Sequence, residues 1–518
     1  MNTQQNFIIL TDKTLFANSN LLVDWQMSTS HRNSLESDCA CVTSVSISPE
    51  TNQKAITKPY LLNIEAVDKN VIFQQNGHLQ SLTDNYYLSF DIHGHNGLAV
   101  INQPTYRLVQ KFADPRPLLA ELEQLPPSAE VKATIQHLIQ TGLLKSVDES
   151  AKVKQKAEEH GLTAWLHVTN DCNLDCPYCY VAKTADKMAL EKGYQSVAAV
   201  FRSAVKQNFK LVKLKYAGGE ATLNFHTVLA LHRYAHQLAD EHGLALDGVV
   251  LSNGVAISDR MITAMKDLGL RLMISLDGVG AYHDVQRPFV NGHGSFFHLE
   301  RTLDRLARHQ LIPSISITLS RHNLAGLPDV VAYVLERNLP FTLNFFRDND
   351  ACGVPNHQLR YEEDQLIEAM LAAFKVIEDN LPPYSLLGNL LDLAHLDNFH
   401  EHTCGVGHSY MVINHKGGVA KCHMALDQTV ATVNDDNPLQ AIQLDHIGIQ
   451  NLPVTEKEGC KTCEWQNWCA GGCPALTYRM TGRYDIKSPN CRIYKTLFPE
   501  VLRLEGLRLL KYSNLLSG

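Results

Sequence analysis

From Leu162 to Phe346 the sequence repeats one unit six times, a short apolar run followed by a longer stretch of helical periodicity. The strand candidates are 163–169, 211–216, 247–252, 271–276, 313–319 and 341–346. Between them, 186–207, 225–242, 257–268, 296–309 and 325–337 read as helices. Each helix must return the chain across one face before the next strand can run the same way. Such a series therefore builds a parallel α/β sheet, either an open barrel or a doubly wound sheet. Functional groups on such a sheet belong at the C-terminal ends of its strands.

The flanks read differently. Residues 1–84 alternate short apolar runs with polar turns and suggest a β-rich region whose role the sequence does not disclose. Within 85–148, Tyr86 to Ile92 alternates like a strand. His95-Asn96-Gly97 supplies turn chemistry, and Leu98 to Ile101 reads as the paired strand. Helical patterns follow near 103–111 and 116–124. A longer one starts at Ser128, a good N-cap, places Val131, Ile135, Leu138 and Ile139 on one face, and ends near Gly142. A hairpin followed by three helices makes a winged-helix-like unit. Residues 150–160 are charged and read as a linker or exposed helix. Residues 347–403 form a connector, helical over 361–400. A turn-rich, cysteine-dense segment covers 404–492, and a last helix covers 493–518.

The bulk numbers exclude several classes. The 518 residues are 45% apolar and carry 46 basic against 54 acidic side chains, a formal charge of -8. That balance argues against nucleic acid or an anionic membrane as partner. No run of 18 apolar residues exists, so no membrane span is expected, and the N-terminus lacks a secretory pattern. The expected location is the cytoplasm. Thirteen cysteines in a reducing compartment point to metal more than to disulfides, and ten of them fall in two groups. Cys39, Cys41 and Cys352 lie outside both groups and read as ordinary thiols.

The first group is Thr169-Asn170-Asp171-Cys172-Asn173-Leu174-Asp175-Cys176-Pro177-Tyr178-Cys179-Tyr180. Zinc prefers four ligands in CxxC-type pairs, and a lone CxxxCxxC fits it poorly. Three thiolates can instead hold three corners of a [4Fe–4S] cube and leave the fourth iron open. The amino and carboxylate groups of S-adenosylmethionine (SAM) can fill that place. Electron transfer to the sulfonium then yields a 5′-deoxyadenosyl radical.

This segment resembles the signature loop of the radical SAM superfamily, and the resemblance extends over the partial (β/α)6 TIM-like barrel of residues 162–346. Gly218-Gly219-Glu220 resembles the motif that holds the SAM amino group. Tyr178 stands where an aromatic ring packs near the adenine. Ser252-Asn253-Gly254 and Ser275-Leu276-Asp277-Gly278 end the third and fourth strands. His283-Asp284, Arg287 and the stretch Gly292 to Phe296 continue the pattern. The resemblance implies that Asn253, Ser275 and Arg287 help bind SAM, with an exposed structural role as the alternative for Arg287.

The second group holds Cys404, Cys422, Cys460, Cys463, Cys469, Cys473 and Cys491, seven thiols within about 90 residues. Seven does not divide into zinc ribbons of four. The pattern resembles the SPASM extension of radical SAM enzymes, a cluster-binding domain with two auxiliary [4Fe–4S] clusters. That resemblance implies Cys404, Cys422 and Cys473 for auxiliary cluster I. It implies Cys460, Cys463, Cys469 and Cys491 for auxiliary cluster II. The eighth place is either an open iron or a ligand such as His402, His408 or Cys352. With the SAM-binding cluster, three clusters are expected.

Residues 85–148 resemble the recognition element of enzymes that mature ribosomally made peptides. There a leader peptide adds as a strand to the hairpin edge. The near-neutral helix beginning at Ser128 is a poor phosphate binder, which speaks against DNA. The expected partners are thus a precursor peptide with a leader and an electron donor such as flavodoxin or ferredoxin. The expected activity is a radical oxidation of that peptide, giving a thioether or carbon–carbon crosslink. The runners-up are formylglycine formation, as in anaerobic sulfatase maturases, and dehydrogenation of a small molecule. A non-catalytic iron–sulfur carrier is a third reading, which the intact SAM motifs oppose. Sulfatase maturases usually carry Asp after the cysteine matching Cys422. His423 stands here instead, either a base or a histidine beside the cluster.

Overall fold

The computed structural model describes residues 8–11, 71–91, 98–124, 129–147, 161–396 and 399–513. Its N-terminal part contains strands β1 (Ile9–Leu10), β2 (Ile72–Gln75), β3 (His78–Ser81), β4 (Tyr86–Phe90) and β5 (Leu98–Asn102). Helices Gln103–Gln110, Leu118–Glu123 and Ala129–Gln140 follow, with β6 (Arg116–Pro117) after the first and β7 (Leu144–Ser146) after the last. β4 and β5 pair antiparallel from Tyr86–Asn102 to Phe90–Leu98. The first sheet has the order β1-β5-β4-β3 and the second β6-β2-β7. Since β2 pairs with β7, the unit begins before residue 85. The His95–Gly97 turn and the Ser128 cap lie outside the described residues, as do Cys39, Cys41 and the 150–160 linker.

Local chemistry explains these ends. Asn102 Oδ1 accepts from the Thr105 amide at 3.1 Å and caps the first helix. At the end of the third helix Gly142 takes φ +71°, and the Leu143 amide reaches back to Leu138 O at 2.8 Å. Ile9, Phe73, Ile101, Leu108, Phe112, Ile135, Leu138 and Leu144 form the small core beneath.

The central sheet contains β8 (Gly161–Thr169), β9 (Leu211–Gly218), β10 (Ala245–Ser252), β11 (Arg271–Ser275), β12 (Ser314–Leu319) and β13 (Phe341–Phe345). Neighbours pair parallel in chain order. Helices Leu190–Lys206, Phe225–His242, Asp259–Asp267, Phe296–Arg308 and Leu327–Glu336 separate the strands. This is an α/β partial barrel. Alternation along the strands sorts the two faces. Leu162, Ala164, Leu166 and Val168 of β8 join the large core, as do Val212, Leu214 and Tyr216 of β9. On the opposite face lie Trp165, His167 and the fully buried Lys213 and Lys215. Asp247 pairs with Lys213 at 3.6 Å and with Arg271 at 2.6 Å. Burial alone would raise its carboxyl, but the Arg271, Lys213 and Lys215 charges and the Arg271 hydrogen bond together outweigh this and hold it below the usual range.

The cysteine-dense tail is continuous with this sheet. β14 (Tyr410–Ile413) pairs parallel with β8, and β15 (Gly418–Ala420) and β16 (Thr429–Thr432) extend the edge antiparallel. Strand pairing thus joins the segment expected as a separate unit from residue 404 to the barrel. Among its described residues the connector is helical over the short turn Asn356–Leu359 and over Glu363–Asp379, so the helix expected over 361–400 ends early. Leu381-Pro382-Pro383 removes two backbone donors directly afterwards, and turns run to residue 396. The last helix spans Cys491–Tyr512, so Cys491 lies at its first turn. No described helix is long and apolar enough to cross a membrane.

Candidate active site at the barrel mouth

β8 delivers the first cysteine group to the mouth of the barrel. The Gly219 amide donates to Thr169 O at 2.7 Å, and the Glu220 amide donates to Asp171 O at 2.8 Å. The end of β9 therefore lies directly against the start of the cysteine loop. A Cβ on Gly218 would sit 2.3 Å from Thr169 O, and one on Gly219 would sit 2.5 Å from Asp171 O. Gly218→Ala should therefore force the two backbones apart. We expect a lower melting temperature and reduced iron uptake by the first loop, read by thermal unfolding and iron content. Wild-type iron content in that variant would contradict the close fit.

The loop is held from several sides. The Asp175 amide donates to Pro288 O, the Gly353 amide to Pro177 O, and Asn349 Nδ2 to Tyr178 O. Burial pushes the Cys172 thiol up to about 11 and Cys176 to about 12. Such thiols ionise only when a cation compensates them, which is the setting of a metal-cluster ligand. Among the described residues no three His, Cys, Asp or Glu side chains form a single-ion site. A cube is larger than one ion, and its corner thiolates stand further apart.

Behind the loop, Glu220 is buried. Its Oε1 accepts from the Thr222 amide, Thr222 Oγ1 and Ser252 Oγ, and its Oε2 accepts from the Asn253 amide at 2.7 Å. The carboxylate thus ties the ends of β9 and β10 together. Asn253 Nδ2 donates to Asn173 Oδ1 at 2.7 Å and lies 3.9 Å from Cys172 Sγ. Ser275 sits half-buried at the end of β11.

Arg287 is not exposed. It is 9% accessible, and its Nε donates to Asp277 Oδ2 at 2.7 Å. Tyr178 donates its hydroxyl to the same oxygen at 2.5 Å, and the guanidinium lies 5.5 Å from the Tyr178 ring centre. Asp277 Oδ1 accepts from the Thr318 amide at 2.7 Å. Asp277 is therefore the hub, visible in the sequence only as part of the strand-end string. His283 is buried, accepts from the Asp277 amide at 3.3 Å and contacts Ser295 Oγ at 3.1 Å. Burial lowers it to about 3, with the Arg287 charge adding to the shift, so the ring is a neutral brace.

The tail thiols gather in two places. Cys404, Cys422 and Cys473 share an apolar cluster with Trp165, Tyr410 and Val412. Cys460, Cys463, Cys469 and Cys491 line one small hollow. Burial raises Cys422 and Cys469 to about 12 and Cys460 to about 11. Sequence reading passed over Lys457, which lies between the two sets. It is 1% accessible, and its Nζ donates to Ala470 O at 2.7 Å. Thr403 Oγ1 donates to the same oxygen and to Gly472 O. This knot joins the neighbours of Cys469, Cys404 and Cys473.

The three candidates for an eighth ligand fall in two places. Cys352 lies by the first loop: its thiol donates to Asn356 Oδ1 at 3.2 Å, and its neighbour Gly353 docks on Pro177. His402 and His408 lie against each other, tilted by 50°, with ring centres 4.0 Å apart.

His423 is buried between Trp165 (4.8 Å, stacked) and Tyr180 (5.3 Å, edge-on), with Nδ1 3.2 Å from the Tyr410 hydroxyl. Burial lowers it to about 3. A ring this reluctant to take a proton is a poor general base.

An open hollow of about 310 Å³ adjoins this layer, lined among others by His167, Tyr180, Asn349, His415, Asp427 and Arg479. His167 was missed in the sequence, although it alternates with Trp165 on the inward face of β8. Thr184 Oγ1 donates to Asp186, Asn170 Nδ2 donates to Thr184, and His167 Nε2 lies 2.7 Å from Asn170 Oδ1. This order puts the hydrogen on Nε2. Burial holds the ring neutral, lowered to about 4, so Nδ1 is a bare acceptor without a partner.

Residues 166–330 match the radical SAM superfamily. The PqqA peptide cyclase of Bradyrhizobium diazoefficiens is 22% identical over 376 residues, covering 68% of this chain and 93% of that one. The cysteine-type anaerobic sulfatase-maturating enzyme of Clostridium perfringens is 22% identical over 331 residues, covering 59% and 86%. Among solved structures, native anSMEcpe with bound AdoMet and the Cp18Cys peptide overlays with a TM-score of 0.55 at 18% identity. That overlay covers 68% of this chain and 99% of the other, and it is a likeness of fold.

Proposed function

Because the chain is a radical SAM superfamily enzyme with peptide-modifying relatives, we propose that it installs an oxidative thioether or carbon–carbon crosslink in a ribosomally made peptide. One observation carries the reading. Tyr180, next to Cys179, packs its ring against His423, next to Cys422, with Trp165 stacked behind, and the open hollow lies beside Tyr180. A peptide in that hollow lies next to both a place where a radical is made and a place that can accept an electron.

Cys172, Cys176 and Cys179 hold the SAM-binding cluster. Cys404, Cys422 and Cys473 hold auxiliary cluster I, and Cys460, Cys463, Cys469 and Cys491 hold auxiliary cluster II. When bound, SAM and these [4Fe–4S] clusters supply hydrogen abstraction and one-electron transfer. Gly218, Gly219, Glu220, Asn253 and Ser275 shape the SAM pocket. Arg287 and Asp277 fix the Tyr178 ring that faces it. His423 fills the layer between the clusters. The N-terminal unit grips the leader, and a flavodoxin or ferredoxin supplies electrons.

The sulfatase-maturating relative favours formylglycine formation as the second reading. The neutral His423 disfavours it, since an ionised Asp usually serves as base there. The test is coexpression with the precursor peptides encoded beside the gene, followed by mass spectrometry. A crosslink removes two hydrogens per bond, whereas formylglycine formation removes the cysteine sulfur. The reconstituted protein should bind about twelve irons, as three four-iron cubes. About four irons would refute the auxiliary clusters, and unmodified peptides from every neighbouring frame would refute the peptide reading.

A further inference from the structure

β3, β4 and β5 form a meander of consecutive strands, but the sheet has a fourth member from elsewhere in the chain. β1 pairs antiparallel with the outer edge of β5, Ile9 opposite Ile101 and Leu10 opposite Val100. More than sixty residues separate it from β2, the next described strand. Its main chain is clamped. The Ile8 amide lies 3.3 Å from Asn102 Oδ1 and 3.1 Å from Thr105 Oγ1. Ile8 O accepts from Thr105 Oγ1 at 3.1 Å and from the Asn102 amide at 3.4 Å. The Ile9 side chain enters the small core beside Ile101, Leu108 and Phe112 and is 9% accessible.

This is the chemistry of strand addition. Polar groups read the backbone, and a pocket reads one alternate side chain. Nothing in the clamp depends on the identity of residue 8, because both of its partners bind main-chain atoms. The opposite edge, β3, is polar and partly exposed, so it offers no comparable pocket. The paired strand is only two residues long, and so short a strand adds few bonds to its sheet.

We propose that the chain's own residues 8–11, paired with the outer edge of β5, act in cis as a built-in competitor that a substrate peptide strand carrying one apolar anchor must displace. The inference rests on the peptide-modifying reading above. A tethered strand competes at a high effective concentration, so a weak strand in cis suffices to hold back an incoming one. Peptides lacking the apolar anchor do not displace it.

The test uses a fluorescent synthetic peptide of residues 5–13, QNFIILTDK, and the full chain with its clusters. Ile9→Asp places a carboxylate in the apolar pocket and should release the strand. Fluorescence anisotropy should show saturable binding of the probe to Ile9→Asp, about tenfold or more tighter than to the wild type. A probe with Asp at the Ile9 position should bind neither. Deletion of residues 2–11 should act like Ile9→Asp and covers the case in which that variant misfolds, with SAM cleavage as the check on the remaining fold. Equal binding to wild type and variants, or no binding to either variant while SAM cleavage persists, would overturn the proposal. Peptide modification by the wild type is scored separately by mass. Its presence without probe binding sinks only the cis strand, and its absence with probe binding sinks only the peptide-modifying reading.

Discussion

Replacing Cys172, Cys176 and Cys179 together with alanine is expected to abolish 5′-deoxyadenosine formation and to remove about four irons, one cube's worth. The other thiols should keep theirs, because the first loop and the tail sets do not share cysteines. Cys460, Cys463, Cys469 and Cys491 line their own hollow, and Cys404, Cys422 and Cys473 pack around Trp165 and Tyr410. The fold should persist, since the loop is tied by backbone bonds to Pro288, Gly353 and Gly219. Anaerobic product analysis and iron content are the readouts. SAM cleavage at the wild-type rate by the triple variant would remove the loop from the chemistry.

The second large effect concerns the Asp277 hub. Its carboxylate is fully buried and accepts from Arg287, Tyr178 and the Thr318 amide. Asp277→Ala strands the Arg287 charge in a low-dielectric site and leaves the Tyr178 hydroxyl without its acceptor. Breaking such a pair costs about 3–5 kcal/mol. Most of that cost is the abandoned charge, so Asp277→Ala with Arg287→Met should recover a large part of the stability. SAM affinity should fall in both variants, because the Tyr178 ring loses its anchor. Denaturant unfolding measures the first effect and equilibrium SAM binding the second. A loss below about 1 kcal/mol in the single variant, the range of an exposed pair, would show that the hub is not load-bound.

Much of the barrel was legible because its signals are local. The apolar runs of β8 to β13 and the helices between them follow from period and length, since one strand or helix turn is set by neighbours a few residues away. The six units imply the parallel sheet, because a parallel connection leaves no other route. The connector after Asp379 shows where this breaks down. Its apolar residues continue, but Pro382-Pro383 stops the helix and tertiary packing takes over.

Cysteine spacing alone singled out the ten thiols of the two groups as candidate metal ligands, and the strand-end motifs marked the barrel mouth. Which thiols share one hollow is a long-range matter, since Cys491 reaches Cys460 only through the start of the last helix. The tertiary structure alone placed Cys352 by the first loop, buried Arg287 on Asp277, held His423 neutral between two rings and buried His167 Nδ1 without a partner. Each depends on what surrounds a side chain from other elements, and burial, charge pairing and tautomer are properties of that environment. The pairing of β14 with β8 and of residues 8–11 with β5 has the same origin. An edge strand's partner is chosen by whichever segment the fold brings alongside, and its own sequence carries only the readiness to pair.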